Sequence, residues 1–465
     1  MDRYFRPGIL TVTLLISLLL VGCGGKRTIR APVKSPEAFT TSGSDTAPGR
    51  WWKTFGDTQL NQLVDTALRN NFDLKTAWSR LRQARARAEQ EAASLYPTLD
   101  ATANGELNRT DGTENDQLSL GLAADYEIDL WGRIQSRTEA EQYHAKASLS
   151  DYRTAAISLS AEVTRTWYQL SEQHQQLNLL NKQIQTNRKV YNLIKSRFGS
   201  GQTRSADLLR QEQLLESTRE QKIKTESRIR VLEHQLATLI GEPPQGNLNY
   251  EPDTMPELPP RPRTGVPSDL IRRRPDVRAS YLQLKAADRE LAAAISNQYP
   301  RLTLTASLSS SDNNASELFE DWASAFAANL TAPLIDAGRR DAEVRRNRAL
   351  KHQRLNEYGQ SILSAFRDVE DALVQEVKQQ ERIRSLEDQL ELSRKTVQRL
   401  RAQYLNGTGD YIDVLTALNE QQQLRRDRLS AHRTLLERRI ALYRSLAGWF
   451  KSDSYHGNQG SNRKQ

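Results

Sequence analysis

One cysteine, two methionines and six histidines are all that 465 residues offer to thiol or soft-metal chemistry. A lone Cys23 excludes an intrachain disulfide and a thiolate zinc or iron–sulfur site. The histidines stand at 144, 174, 234, 352, 432 and 456, never four apart, so the HExxH type of metal site is missing. Met1 and Met255 cannot form a methionine relay for soft metals. No stretch of 18 or more apolar residues follows residue 22, so no apolar transmembrane helix is predicted in the mature chain. Proline is missing from 133–198 and from 338–405, which leaves both free to be one helix each. No nucleophile–base constellation and no phosphate loop supports an enzyme, and no cofactor is called for. The mean hydropathy of −0.70 is low for a compact core.

Charge is plentiful, with 66 Lys+Arg against 57 Asp+Glu and a formal net charge of +9. In REQKIKTESRIRVLEH (219–234) the basic residues alternate with acids and glutamines. This marks a solvated helix face and argues against nucleic acid as a partner. At the N-terminus Arg3 and Arg6 precede an apolar run from Ile9 to Val21, then Gly22, Cys23 and Gly24. A basic head, a short apolar core and a small-residue exit form an export signal. Leu20-Val21-Gly22-Cys23 resembles the bacterial lipobox. The resemblance implies cleavage of 1–22, with a diacylglycerol and an N-acyl chain on Cys23; a buried cysteine after an ordinary signal is the plainer alternative. Gly24, in place of an aspartate that would retain a lipoprotein inside, points to the outer membrane.

From residue 51 the chain is duplicated. SLYPTLDATA (94–103) recurs as NQYPRLTLTA (297–306), and LWGRIQ (130–135) as DAGRRD (336–341). The heptad positions Leu177, Leu180, Ile184, Asn187, Tyr191, Ile194 and Phe198 map by a shift of 206 onto Ile383, Leu386, Leu390, Ser393, Val397, Leu400 and Tyr404. Each half predicts a helix (58–94; 268–297) that stops before Tyr-Pro, then two strands (97–130; 300–335) of period two. A long helix follows (133–198; 338–405), then a glycine turn and a second helix (205–240; 410–446). At 1.5 Å per residue each long helix reaches roughly 100 Å and must pack in a coiled coil or tube.

The predicted organisation is a signal peptide 1–22, a lipid-anchored segment 23–57, a first repeat 58–240, a Pro-rich extended surface linker 241–267, a second repeat 268–450 and a polar tail 451–465. Strands of about 9–11 residues suffice to cross a bilayer. Four strands cannot close a barrel, and an open edge cannot face lipid, so membrane strands here require several chains in one barrel.

The lipobox, RWWKTFGDTQLNQLV (50–64), YEIDLWGRI (126–134), SDLIRRRPDVRAS (268–280) and APLIDAGRR (332–340) together resemble the TolC-type outer-membrane efflux channels, in the lipoprotein branch that serves resistance–nodulation–division (RND) pumps. The resemblance runs over essentially the whole mature chain; Tyr281 stands where a glutamate is usual. It implies an α+β fold: an internally duplicated, coiled-coil periplasmic barrel plus four β-strands per chain in a shared, twelve-stranded transmembrane β-barrel. It implies a homotrimer in outer-membrane lipid, a periplasmic adaptor and an inner-membrane RND transporter as partners, and a passive exit duct for drugs or other small toxic compounds. A duct for type I protein secretion is the nearest rival, and a lipid-anchored coiled-coil scaffold without a pore a further one.

Within that reading the turns SRFGSGQTRSADLLRQ (196–211) and AQYLNGTGDYIDVLTA (402–417) form the periplasmic tip, where Gly201, Arg204, Asp207, Tyr404, Gly407 and Asp410 are the candidates for turn and adaptor contacts. Asp413 is the candidate gate, since three symmetric carboxylates would repel and narrow the pore to cations; the alternative is a charge in the first turn of a helix. Gly409 and Thr416 depart from some relatives, so a latch would draw on Tyr404, Asp410 or Arg204. Asp125, Glu127 and Asp129 alternate with apolar residues and would line a hydrated barrel lumen. Trp51, Trp52 and Trp131 suit either a membrane interface or helix packing.

Overall fold

The computed structural model describes residues 31–44, 48–110, 113–245 and 255–446; Cys23 and the tail 451–465 lie outside them. The duplication is visible element by element. Helices α1 (Thr58–Asn70) and α2 (Phe72–Ala93) lead to strands β1 (Thr98–Thr110) and β2 (Thr113–Ile128), then α3 (Arg133–Gly199) and α4 (Ser205–Ile240). The second half gives α5 (Pro267–Arg273), α6 (Pro275–Ser296), β3 (Arg301–Asp312), β4 (Ala323–Thr331), α7 (Arg339–Leu405) and α8 (Tyr411–Leu446). Both long helices have 67 residues and both return helices 36, and the pairs are 206 apart. The 22-residue helices α2 and α6 are only 203 apart (275 − 72), as are the starts of β1 and β3 (301 − 98). The extra three residues therefore lie between strand and long helix, where Thr331 is followed by seven connecting residues and Ile128 by four.

The helix over 58–94 is in fact two. Asn71 breaks it: its Oδ1 accepts the N–H of Leu74 at 3.0 Å and caps the new helix, while its Nδ2 donates to the Leu239 carbonyl. The second repeat breaks at the same place because Pro275 holds Arg274 extended.

The strands form one antiparallel sheet in the order β1-β2-β3-β4. Cross-strand pairs share a face: Ala101, Leu122 and Leu308 are in register, as are Ile128, Leu302 and Leu330. That apolar face is bare in the single chain, where Leu99, Leu122, Phe326 and Leu330 are exposed. The other face carries Asp100, Thr102, Ser119, Asp125, Thr303, Thr305 and Ser307. Apolar outside and polar inside is the pattern of a barrel strand in lipid. The outer edges of β1 and β4 are unpaired among the described residues.

The packed core sits at mid-length of the helices. Trp51, Trp52, Phe55, Leu63, Trp167, Tyr168, Leu236, Leu436 and Tyr443 form one cluster. Trp51 and Trp52 are 1 % and 0 % exposed, with Trp51 stacked 5.5 Å from Tyr443, so both are packing anchors. Trp131 is half exposed at the foot of the sheet, stacked on Tyr299 and donating to the Pro300 carbonyl. Towards the tip the seam narrows. In the first repeat Leu180, Asn187 and Ile194 are buried, whereas in the second only Leu386 of the heptad set is.

The stretch 255–266 is extended but is not a surface linker. Met255, Pro259, Pro262 and Thr264 are buried. Arg439, 2 % exposed, donates to the carbonyls of Pro259 and Pro260 and forms a two-pronged pair with Glu376 at 2.7 and 2.9 Å. Arg261 reaches the same carboxylate at 2.9 Å. The N-terminal segment docks here too: Phe39 packs edge-on against Phe366, and Thr40 gives its N–H to Glu370. Gly43 donates to the Pro262 carbonyl.

Candidate functional site

The two hairpin turns are built alike. Gly201 and Gly407 have φ of +73° and +76°, the left-handed region that glycine enters without a Cβ penalty. Gly201 N–H donates to the Phe198 carbonyl and Gln202 N–H to that of Arg197; Gly407 donates to Tyr404 and Thr408 to Gln403. Each is a helix end closed by paired backbone bonds around a left-handed residue, and the partners differ by 206 throughout.

A chain of hydroxyls joins the turns. Tyr404 Oη donates to Thr203 Oγ1 at 3.4 Å, and Thr203 donates to Asp207 Oδ2 at 3.0 Å. The Arg197 guanidinium lies 4.9 Å over the Tyr404 ring. Deeper in, Tyr411 donates to Gln211 at 2.5 Å, and Gln211 donates to the Asn187 carbonyl. Asn187, the polar intruder in the heptads, exchanges bonds with Gln422 and donates to Thr218. A buried polar cluster thus ties α3, α4 and α8 behind the tip. Tyr411 is held neutral, its phenol pushed well above its usual range by burial and by the neighbouring Tyr404 and Asp207.

Arg204 and Asp410 line the cleft of about 310 Å³ between the turns, and neither side chain forms a hydrogen bond or ion pair among the described residues. The contact that joins the two turns runs from Tyr404 to Thr203 and on to Asp207. Asp207 is occupied, by Thr203 and by Arg210 at 3.8 Å. Its repeat mate Asp413 is exposed in the first turn of α8, and its carboxylate makes no hydrogen bond or ion pair among the described residues. The cause is legible: Gly409 and Thr416 occupy the places of Thr203 and Arg210.

At the other end of α3, the three barrel carboxylates separate. Asp125 accepts from Thr305 Oγ1 at 3.0 Å on the polar face of the sheet. Glu127 takes Arg133 at 2.7 and 2.8 Å. Asp129 does not belong with them. The strand ends at Ile128, and Asp129 accepts the N–H groups of Arg133 and Gln135, both at 2.7 Å. It caps α3, because orphan N–H groups at a helix start draw a carboxylate. Asp336 does the same for α7 through the N–H groups of Gly338 and Arg340.

Beneath the sheet His144 Nε2 lies 3.0 Å from Glu290 Oε1, joining α3 to α6. The hydrogen bond to Glu290 raises the His144 pKa above 6.5, with Glu141 adding to it and Arg354 and burial opposing it. The same bond lowers Glu290 below 4.5, helped by Arg354 and Arg346. A raised histidine stabilises the fold when protonated and loses that gain as pH rises through its folded pKa; a lowered carboxylate loses its gain as pH falls. The pair contributes most between about pH 4.5 and 6.5. With both side chains about one-third exposed, we expect His144→Gln to cost about 0.5–1 kcal/mol at pH 5.5 and little at pH 8.5. Thermal midpoints of both proteins across that range would check this; a difference that grows towards pH 8.5 contradicts it.

A lipid-facing open sheet, a polar inner face and helices of about 100 Å define one protomer of an outer-membrane duct. Residues 63–242 and 266–448 match the family described as outer membrane efflux protein, and the chain belongs to that family. It is 31 % identical to the pyoverdine export outer membrane protein OpmQ of Pseudomonas aeruginosa, over 97 % of this chain and 99 % of OpmQ. It is 26 % identical to the cation efflux system protein CusC of Escherichia coli K12, over 93 % of this chain and 98 % of CusC. The solved outer-membrane channel OprN superposes with a TM-score of 0.84 at 27 % identity, covering 91 % of this chain and 98 % of that one. The protein is an outer-membrane efflux channel with a periplasmic helical extension, and its four strands are one third of a trimeric barrel.

Proposed function

We propose that this channel is the passive last stage of an RND efflux system, carrying small solutes past the outer membrane. An adaptor docks at the tip around Gly201, Arg204, Gly407 and Asp410, and an inner-membrane proton-driven transporter loads the duct. Cys23 carries the diacylglycerol and N-acyl chains that hold the chain to the membrane. The relatives support small solutes rather than secreted proteins, since one is named for pyoverdine export and another for cation efflux.

Asp413 forms the gate, three carboxylates meeting at the axis. The observation that carries this is the divergence between the repeats: Asp207 has two partners, and Asp413, 206 residues on, has none among the described residues. Single-channel conductance of the purified, acylated protein in planar bilayers tests the reading. Asp413→Ala is expected to conduct about three-fold more than wild type and to lose cation preference, because a charged constriction is removed. Equal conductance and selectivity would remove Asp413 from the gate and leave the channel standing. No conductance from either protein, with both folded, would contradict the channel.

A further inference from the structure

A second charged constellation sits at the neck between sheet and helices. A cavity of about 870 Å³ is lined by Arg133 and Arg137 of α3, Arg301 of β3 and Arg346 of α7, with Glu290 and Glu343 as the acidic members. That volume suits a small organic molecule. Small residues of α6, Ala293 and Ala294, make its floor.

The strand register says which way the cavity faces. Glu127 pairs with Thr303 and Asp125 with Thr305, so these four share the polar face; Arg301, two residues before Thr303, lies on it too. Arg133 is held to Glu127 from that same side. The cavity therefore opens to the lumen, away from the face bearing Leu122, Leu308 and Phe326, which meets lipid.

The charges there do not cancel. Arg133 is committed to Glu127, and Arg137 lies 3.9 Å from Glu91. Glu290 is committed to His144, and Glu343 accepts from Asn297 at 3.5 Å. Arg301 donates to the neutral Asn297, and neither Arg301 nor Arg346 forms an ion pair among the described residues. Two guanidinium groups, planar forks suited to carboxylate or phosphate, thus remain available on the wall of one cavity.

We propose that this neck cavity is a binding site for small polyanionic solutes bearing carboxylate or phosphate groups, one per protomer, passed on during export. The inference rests on the channel reading. It gives the duct a cationic station at the neck, where an exported anion that has passed the tip is held before it leaves through the barrel.

Isothermal titration of citrate and of inorganic pyrophosphate into the purified, full-length acylated channel in detergent tests it. Both are expected to bind saturably, near one per protomer, with spermidine giving no saturable signal. Arg301→Gln/Arg346→Gln should weaken both at least ten-fold. Arg345→Gln, which removes a charge paired with Asp341 outside the cavity, should leave binding unchanged. No saturable binding to wild type, or equal binding by the double variant, overturns the site. Loss of both signals on adding a short-chain anionic phospholipid would mark a lipid-phosphate site and overturn the solute reading. Planar-bilayer conductance of the same preparations separates the two levels. Wild-type conductance without anion binding removes the neck site alone; no conductance removes the channel with it.

Discussion

Glu376→Ala is expected to cost about 3–5 kcal/mol, the penalty of stranding a buried charge. Glu376 is fully buried and receives both Arg439 and Arg261. Without it Arg439, itself 2 % exposed, keeps only the Pro259 and Pro260 carbonyls. The strap 255–266 would loosen, and with it the bridge from the first repeat to the second. Denaturant unfolding of the detergent-solubilised protein should show the midpoint fall, and limited proteolysis should cut near Arg261 or Arg263 first. A Glu376→Gln variant keeps the shape and tests charge alone. If both variants unfold like wild type, the Arg439–Glu376–Arg261 cluster is not what holds the strap.

Gly43→Ala should release the N-terminal segment, for a steric reason. A Cβ there would fall into the Arg261 carbonyl group and lie 2.7 Å from the Pro262 carbonyl oxygen. Both obstacles are backbone, so no rotamer change relieves them. Overpacking of this kind costs about 1–3 kcal/mol where it can be accommodated. Here the cheaper escape is for the N-terminal segment to leave, giving up Phe39 against Phe366 and Thr40 on Glu370. The expected result is an intact channel whose residues before Trp51 become protease-sensitive. Equal protection in both proteins would show that the segment is held elsewhere.

Much of this architecture is written in local pattern. Heptad spacing and the missing prolines placed both long helices within a residue of their ends, and alternation found four strands with their lipid face. The turns were readable because Gly201 and Gly407 recur at the same shift as the heptads. What local pattern does not show depends mostly on partners distant in sequence. Arg439 reads as one more charge on a solvated helix, and only the fold brings Glu376 and Pro259 to it, 63 and 180 residues away. The Pro-rich stretch reads as a surface linker for the same reason. Asp129 reads as a lumen residue because alternation continues past the strand end, whereas the helix start claims its carboxylate. The neck arginines come from three separate elements and have no motif at all. The freedom of Asp413 was half legible: Gly409 and Thr416 were visible as departures, but their meaning needed the bonds Asp207 makes in the other repeat.

The tube of three chains has six hairpins, nearly sixfold in backbone because the two turns share their bonds to the residue. In side chains it is only threefold. Hairpins of the first kind have their carboxylate tethered and can serve as a fixed frame. On the proposed gate, those of the second kind offer a carboxylate to the axis, and the Tyr404 contact to Thr203 is one of the bonds that hold each of them to its fixed neighbour. Dilation of such an aperture need not unwind the whole cylinder. Three alternate staves can swing outward against three that stand still, so a duplicated gene yields an iris with as many moving blades as there are subunits.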